Sequence, residues 1–560
     1  MYAYEPILEG LTQRVWASYD RQVMDESRPE HGAFISESMP HPVANHGNHT
    51  QELARACYVF LAEGSSLEGD RTLFDRICGG IGFQKRWQRP NGLIDNVVGN
   101  WASPTATAFT VQLLAPIVEV ARTKAEAGDE RAAQIAESLG EYILSGAQGV
   151  IGGGFHTPNH RWVVCSGLAQ AMSLFPDLQA LDYVESILAE TVDINEDGEY
   201  IERSTGVYNA VCNRSLRLMA DHLKRPELLD PVRENLDMMA HLFHADGTVV
   251  TDMSNRQDRG QRVVPVGSAD SFFDMAQRDG NGMWAAVADR LVAAGFDAIH
   301  QAWLIHPFMV HPAYCHDTLK RKPLPDDFGR VFPAARLWRV KRGLLSATAL
   351  GGNATAFAMR YGAVNLKALK VFGSYYGTQF EADTFEASEN GVQMVRRGDM
   401  RRSPGYDMPL GRPVRFDAFH AIRDTRERWT LPPFDVALDI REVEGGFDFH
   451  LKTEGGIDRV TFWIACCFGG PGEWENDGQV IRVTHGLTAI LKSGYGVFHR
   501  GNHAVRIGPG AAEHRMWGVK DAVQDADAFQ VLLTLQTPID RVFEIRCGKW
   551  SIATGEMLRD

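Results

Sequence analysis

Cysteine is scarce, with eight in 560 residues. They stand at Cys57, Cys78, Cys165, Cys212, Cys315, Cys466, Cys467 and Cys547, with no C-x-x-C pair, and most lie in apolar stretches such as RVTFWIACCF. That usage reads as buried, reduced thiols, and a chain this long needs no disulfide or metal staple to fold. Basic charge is also short, 57 Lys plus Arg against 71 Asp plus Glu, for a net charge of −14. Phosphate contacts need a basic footprint, so a general nucleic-acid partner is excluded. An acidic small substrate is not, because net charge bears on solubility more than on a local pocket. No apolar run approaches the roughly 18–20 residues of a membrane span, and no membrane partner is expected. The opening MYAYEPILEGLTQRVW has no basic stretch ahead of an apolar block, so no secretory signal and a cytoplasmic location are expected. A G-x-S-x-G elbow, a P-loop and a dinucleotide-type G-x-G-x-x-G are all missing, which removes triad hydrolases, nucleotide kinases and dehydrogenases.

What is present is a globular composition, 44% hydrophobic and 23% charged. The first three-fifths carry helical periodicity. SPTATAFTVQLLAPIVEVARTKAEAG has Ser103 as N-cap and Pro104 in the first turn. NHTQELARACYVFLAEG, DERAAQIAESLGEYILSGA, HRWVVCSGLAQAMSLF, DYVESILAETV, GVYNAVCNRSLRLMADHLK, PELLDPVRENLDMMAHLFH and NGMWAAVADRLVAAGF are further amphipathic runs. Short polar links between helices of similar length predict antiparallel hairpins, in a bundle or a closed toroid. Near residue 330 the texture changes to short β-rich runs broken by Gly, Asn and Asp, as in DVALDIREVEGGFDFHLKTEGG. Stacked antiparallel sheets follow from that spacing. Helices first and strands second predict segregated α+β domains, divided at 1–325 and 326–560.

Five segments concentrate chemistry. In GGGFHTPNHRW, Thr157 and Pro158 lead to Asn159, His160, Arg161 and Trp162 at a helix start, where free backbone N–H groups favour anions. In DINEDGEYIERSTGVY, the DINEDG run resembles half an EF-hand loop, but the position needing a bidentate Glu is Ser204. A tight turn through Asn195, Asp197 and Gly198 is the better reading, followed by Glu202, Arg203 and Tyr208. MPHPVANHGNHT sets His46, Asn48 and His49 ahead of a helix, without the pattern of a zinc site. ADGTVVTDMSNRQDRGQ places Asp252, Arg256, Asp258 and Arg259 on one loop. VRRGDMRRSPGYDMPLGRPVR gathers six arginines, Arg396, Arg397, Arg401, Arg402, Arg412 and Arg415, as a solvated basic loop or a carboxylate-recognising one.

The segments TPNHRW and ERSTGVY, with weaker echoes in HADGTVVTD and VFGSYYGTQF, resemble the heparinase II/III-like polysaccharide lyases. That resemblance implies an (α/α) toroid of helical hairpins followed by an antiparallel β-sandwich. It also implies β-elimination on a uronate-containing oligosaccharide or polysaccharide. Asn159 and His160 match the motif that meets the uronate carboxylate, and Tyr208 matches the proton-transferring tyrosine. Many members place a histidine on an early sandwich strand, where this chain has Tyr375, Tyr376 and Gln379.

The chemistry requires these residue types. Removing the C5 proton creates charge next to the carboxylate, which must be hydrogen-bonded or neutralised, and a base and an acid must reach C5 and the departing O4. Asn159 can donate without titrating, and Arg203, Arg256 or Arg259 can add charge. Tyr208 can act as base or acid beside a cation such as Arg203. Glu202 can orient Arg203 or Tyr208, and Asn48, His49, Trp162, Trp101, Tyr375 and Tyr376 are candidates for sugar contacts. No metal and no cofactor is called for when amide and guanidinium groups neutralise the carboxylate. Two alternatives stand beside this reading. A glycoside hydrolase would need two carboxylates about 5–9 Å apart, nominated as Glu202 with Asp252 or Asp258. A carbohydrate-binding protein would need no catalyst. An oligomer is compatible with all three.

Overall fold

A computed structural model describes residues 1–35, 41–295, 301–374, 378–398, 405–516 and 527–558. The chain forms two compact units, Met1–Leu324 and Pro325–Asp560.

The first unit is helical: α1 (Tyr4–Ser18), α2 (His49–Leu61), α3 (Arg71–Trp87), α4 (Pro104–Glu126), α5 (Glu130–Val150), α6 (Pro158–Leu174), α7 (Leu181–Leu188), α8 (Tyr208–Leu223), α9 (Asp230–Ala240), α10 (Ala269–Asp279) and α11 (Gly282–Ala294). The even-numbered helices form an inner ring, each packed on the next, and the odd-numbered ones lie outside them. Burial shows the division: most residues of α2, α6 and α8 are buried, whereas α7 buries only Val184 and Ile187. The ring is closed where its ends meet. The Tyr2 N–H donates to Asp289 Oδ1 on α11 at 2.6 Å, and its ring stacks on Phe273 of α10 at 4.4 Å.

Capping follows the local sequence. Ser103 Oγ accepts the Ala106 N–H at 3.1 Å and Pro104 opens α4, as the S-P start implies. This helix departs from one expectation, since α4 is long and apolar enough to cross a membrane by length and composition. However, 83% of its apolar window is buried within the unit, so it behaves as a core helix surrounded by neighbours. Helices α1, α3 and α10 were not evident from periodicity. In α10 the cause is chemical, because its buried face carries Asp270, Ser271 and Asp274 among its apolar residues.

Those aspartates pair across to α8. Arg214 Nε donates to Asp270 Oδ2 at 3.0 Å and Arg217 Nη2 to the same oxygen at 2.7 Å. Arg217 also reaches Asp274, which receives Arg278 Nε at 2.9 Å. A hydrophobic pattern cannot reveal a helix docked through buried ion pairs.

The second unit stacks two sheets. One runs in space through Phe434–Val443, Gly446–Gly455, Asp540–Ser551 and His503–Gly508, with Gly391–Arg396 beyond the first of these. The other centres on Thr461–Gly469, flanked by Val364–Gly373 and Ala528–Gln536. Among the described strands pairing is antiparallel except where Thr488–Ile490 runs parallel to Ala528–Gln536, and an isolated bridge from Ala512 to Thr534 is also parallel. Alternation sets the core: Phe434, Val436, Leu438 and Ile440 point inward opposite Phe447, Phe449 and Leu451. Thr461–Gly469 is buried on both faces, with Phe462, Ile464, Cys466 and Phe468 in the inter-sheet core and Trp463, Ala465 and Cys467 in a second cluster. All eight cysteines are free thiols, and only Cys78 and Cys315 are part-exposed. The arginine-rich segment pairs locally, Arg397 with Asp435 at 2.7 Å and Arg415 with Asp417 at 2.6 Å, as a solvated loop does. Arg401, Arg402, Tyr375 and Tyr376 lie outside the described residues.

Candidate active site

Four inner-helix N-termini adjoin at one end of the helical unit. His46, just before α2, stacks on Phe109 of α4 with ring centroids 4.4 Å apart. Phe109 meets the edge of His160 in the first turn of α6 at 5.9 Å. The Asn159 N–H donates to Glu202 Oε2, just ahead of α8, at 3.2 Å.

At the start of α6, Thr157 is the N-cap residue and Pro158 follows, as the sequence implies. The threonine hydroxyl does not cap a backbone amide. It sits 3.0 Å from Asn159 Nδ2 instead, and Glu202 supplies the negative charge that the helix end favours. Asn159 is fully buried, and its Oδ1 has no hydrogen-bond partner. His160 Nδ1 accepts the His156 N–H at 3.4 Å. Burial, with His156, His46 and Arg256 nearby, pushes the His160 pKa down to about 4, so the ring is neutral at ordinary pH. Burial does the same to His46, whose Nδ1 is buried and unpartnered.

The approach to α8 is built by two turns. Asn195 Oδ1 accepts the N–H groups of Asp197 and Glu199, which makes DINEDG a tight turn. Among the described residues no group of three His, Cys, Asp or Glu side chains could hold a metal ion. Arg203 adopts a left-handed φ of 48°, costly for a side chain with a Cβ, and its carbonyl accepts the Asn255 N–H at 2.9 Å. That hydrogen bond ties the 203 turn to the loop that carries Arg256. Asp258 completes the tie: its carboxylate accepts Ser204 Oγ, the Gly206 N–H and Ser254 Oγ, each at 2.9 Å. Ser204 Oγ in turn accepts the Tyr208 N–H at 3.2 Å.

Tyr208 is thereby set at the first position of α8, half-buried. Gln257 Nε2 donates to its hydroxyl at 2.9 Å, and the Arg256 guanidinium lies 4.9 Å from its ring centroid. Arg256 Nε is 3.2 Å from Glu202 Oε1, an ion-pair distance without hydrogen-bond alignment. A continuous series therefore runs from Asn159 through Glu202 and Arg256 to Tyr208 and Gln257.

Other residues nominated from the sequence lie elsewhere. His49 is fully buried: its Nδ1 accepts the Phe34 N–H at 3.1 Å, and its Nε2 donates to the Gly80 carbonyl at 2.9 Å. Both ring nitrogens are consumed, so His49 is a structural histidine and offers nothing to a sugar. Trp162 is equally buried, with Nε1 donating to Asp193 Oδ1 at 2.7 Å, and it presents no stacking face. Trp101, 65% exposed on the short hairpin before α4, does. Arg203 pairs with Glu199 at 3.0 Å, so the cation beside Tyr208 is Arg256. Burial holds Glu199 up at about 7, against the pull of Arg203. Arg259 is on the same loop but exposed, and Asn48 stands at the N-cap position of α2 beside a separate small cavity, its Nδ2 donating to Asn45 Oδ1 at 3.2 Å rather than capping the helix. The carboxylate pair of the hydrolase alternative is not formed with Asp258, whose oxygens are both spent on the loop. Gln257 and Phe109 are site residues that pattern reading missed. Gln257 stands in the quoted NRQDRG loop, yet an amide carries no signal until the loop's shape is known.

Comparison of the sequence with protein-family models and with curated proteins finds no match. Comparison of the structure with solved ones does. A xanthan lyase from Paenibacillus aligns over 98% of this chain and 57% of its own, with 10% identity and a TM-score of 0.54. The chain thus spans little more than half the length of that enzyme. A chondroitin AC lyase from Streptomyces coelicolor A3, solved with chondroitin sulphate, aligns over 98% of this chain and 80% of its own, with 13% identity and a TM-score of 0.54. The chain has the fold of these two lyases. It is a helical toroid followed by an antiparallel β-sandwich. At such low identity the shared property is the fold, and the chemistry must be argued from the side chains.

Proposed function

We propose that this protein is a polysaccharide or oligosaccharide lyase that cleaves a uronate-containing glycan by β-elimination. The observation that carries the reading is the Tyr208 hydroxyl, fixed by Gln257, with a guanidinium over its ring and an amide and an imidazole on the adjoining helix start. The named substrates of the two structural neighbours, xanthan and chondroitin sulphate, contain uronic acid and support it.

In this reading the carboxylate of the uronate sits against Arg256, near the start of α6, and its contact with Asn159, whose side chain is fully buried, requires that helix start to shift as the sugar binds. The Asn159 amide, turned end for end, keeps its Thr157 contact with the hydroxyl now donating, and directs Nδ2 to the side that lacks a partner. An N–H donor and a guanidinium on the carboxylate stabilise the enediolate that forms as the C5 proton leaves. Tyr208 reacts as its phenolate, with the Arg256 charge beside its ring, and becomes the neutral phenol as it takes that proton. The same hydroxyl then returns a proton to the departing O4. His160 is neutral and weakly basic at about 4, which suits it to hold a hydroxyl or carboxylate oxygen rather than to remove a carbon-bound proton. Glu202 keeps Arg256 in place from below.

The test is a scan of uronate-containing glycans with purified protein, reading reducing ends and ultraviolet absorbance together. Absorbance that rises with reducing ends reports the C4–C5 double bond and establishes elimination. Reducing ends without absorbance mean hydrolysis and overturn the reading.

A further inference from the structure

A polar cavity of about 550 Å³ opens at the far end of the helical unit from the proposed site. That volume lies within the roughly 300–1,000 Å³ of small-molecule sites. Its walls are largely the C-terminal parts of three inner helices, α4, α8 and α10, with Pro226, Leu229 and the short helix His306–Val310. Tyr208 opens α8 and His222 stands in its last turn. The two places are therefore roughly 20 Å apart along that helix, at about 1.5 Å per residue.

Two imidazoles on these walls are short of partners. His306 is 7% exposed, and its Nδ1 is buried without a hydrogen bond. A polar group left in that condition beside open space costs free energy that a bound molecule recovers. His222 Nδ1 sits 3.0 Å from Ser173 Oγ, which leaves its Nε2 without a hydrogen-bond partner among the described residues. Burial holds His222 at about 4 and His306 at about 3, so both rings are neutral. Each ring nitrogen then donates or accepts according to the tautomer. Glu119 Oε1 is 3.7 Å from His222 Nδ1. Burial, with Asp221 nearby, pushes the Glu119 carboxyl up to about 7, against Lys224 and Arg122. Near neutral pH that carboxyl is present in both forms, and it too can donate or accept.

An ion of either sign meets opposition there. Lys224 and Arg278 repel a cation, whereas Glu119 and Asp221 repel an anion. Arg278 already directs two nitrogens to Asp221, at 2.9 and 2.7 Å. Among the described residues no three His, Cys, Asp or Glu side chains are grouped to hold a metal ion. A hydroxyl is uncharged and is both donor and acceptor, so it suits groups that can play either part. Leu218, Leu229 and Val310 add an apolar wall for the carbon-bound face of a sugar. We propose that this cavity binds a small neutral saccharide, with His222, His306 and Glu119 on its hydroxyls. The cavity shares no residue with the catalytic cluster, so the site holds whether or not the protein is a lyase.

The experiment is calorimetric titration of the full chain with glucose, galactose, cellobiose and lactose. Saturable binding of at least one is expected, weakened at least tenfold in His222→Leu and in Val310→Trp. The first removes a hydrogen-bonding ring, and the second fills the space from a part-exposed position. Thermal melts verify that these variants fold, and either one alone suffices for the test. Arg256→Gln, in the catalytic cluster, is expected to bind these sugars like the parent. No saturable binding of any neutral sugar overturns the site. So does binding that Arg256→Gln weakens and the two cavity variants leave unchanged, since the sugar is then in the catalytic cluster. Sodium glucuronate and glucosamine hydrochloride test the charge preference. If either binds more tightly than every neutral sugar, and loses that binding in His222→Leu, the ligand is an ion and the assignment is overturned.

Discussion

Tyr208 is the residue on which the proposed chemistry turns. Tyr208→Phe removes one half-buried hydroxyl with a single hydrogen-bond partner, so the fold should be retained while kcat falls by about 10²–10⁴-fold. Initial rates from product absorbance, beside a thermal melt, check both halves of that statement. Glu202→Gln should cost less, because the amide keeps the shape and an acceptor for the Asn159 N–H and loses only the charge that steadies Arg256. If Glu202→Gln proves dead and Tyr208→Phe active, a carboxylate does the chemistry and elimination by Tyr208 is wrong. Residue type alone ranked the candidates imperfectly. His49 and Trp162 have the side chains of ligand contacts, but Gly80, Phe34 and Asp193 occupy their polar atoms.

At the level of elements, the site depends on how the 203–208 and 252–259 loops are tied together. Asp258→Ala leaves Ser204, Gly206 and Ser254 without their acceptor, a loss of roughly 2–3 kcal/mol. Activity should fall further than stability, since Ser204 is the side chain that receives the Tyr208 N–H. Chemical denaturation and kcat on the same preparation separate the two effects. The α8–α10 seam gives a purely structural counterpart. Arg217→Met strips one partner from Asp270 and one from Asp274 in a buried network, at a cost of roughly 3–5 kcal/mol. A change under about 1 kcal/mol in denaturant unfolding would show that Arg214 and Arg278 compensate.

Across the whole molecule, buried imidazoles set an acid limit. Burial holds His46, His49, His160 and His222 at about 4 and His306 at about 3, against an ordinary value of 6.5. Between those values the unfolded chain binds protons that the folded chain refuses. Their stabilising effect is therefore complete above about pH 6.5 and declines as pH falls toward 4, by roughly 1–1.5 kcal/mol per pH unit for a fully buried ring such as His49. Glu119 and Glu199 act in the opposite sense, since burial raises both to about 7 and they gain stability as pH falls from 7 toward 4.5. Burial raises Asp193 as well, but the five histidines outnumber these three carboxyls, so the midpoint of thermal unfolding should drop from pH 7 to pH 5. A midpoint that is flat or rises over that interval would contradict the burial of these rings.

The sequence by itself determined that helices come first and strands second, the start of α4 at Ser103, the turn at Asn195 and the short list containing Asn159, His160, Glu202, Arg256 and Tyr208. These are readable because periodicity, capping and turn preference act over a few residues, and because few residue types can move a proton or carry a charge. The tertiary structure alone decided which arginine stands beside Tyr208, that Gln257 holds its hydroxyl, and that His49 and Trp162 face inward. It also decided that α10 is a helix, since its buried face is recognised only once Arg214 and Arg217 of α8 are opposite its aspartates. Contacts between residues 40 or more positions apart depend on how the helices close into a ring, and no local pattern in the chain encodes that distance.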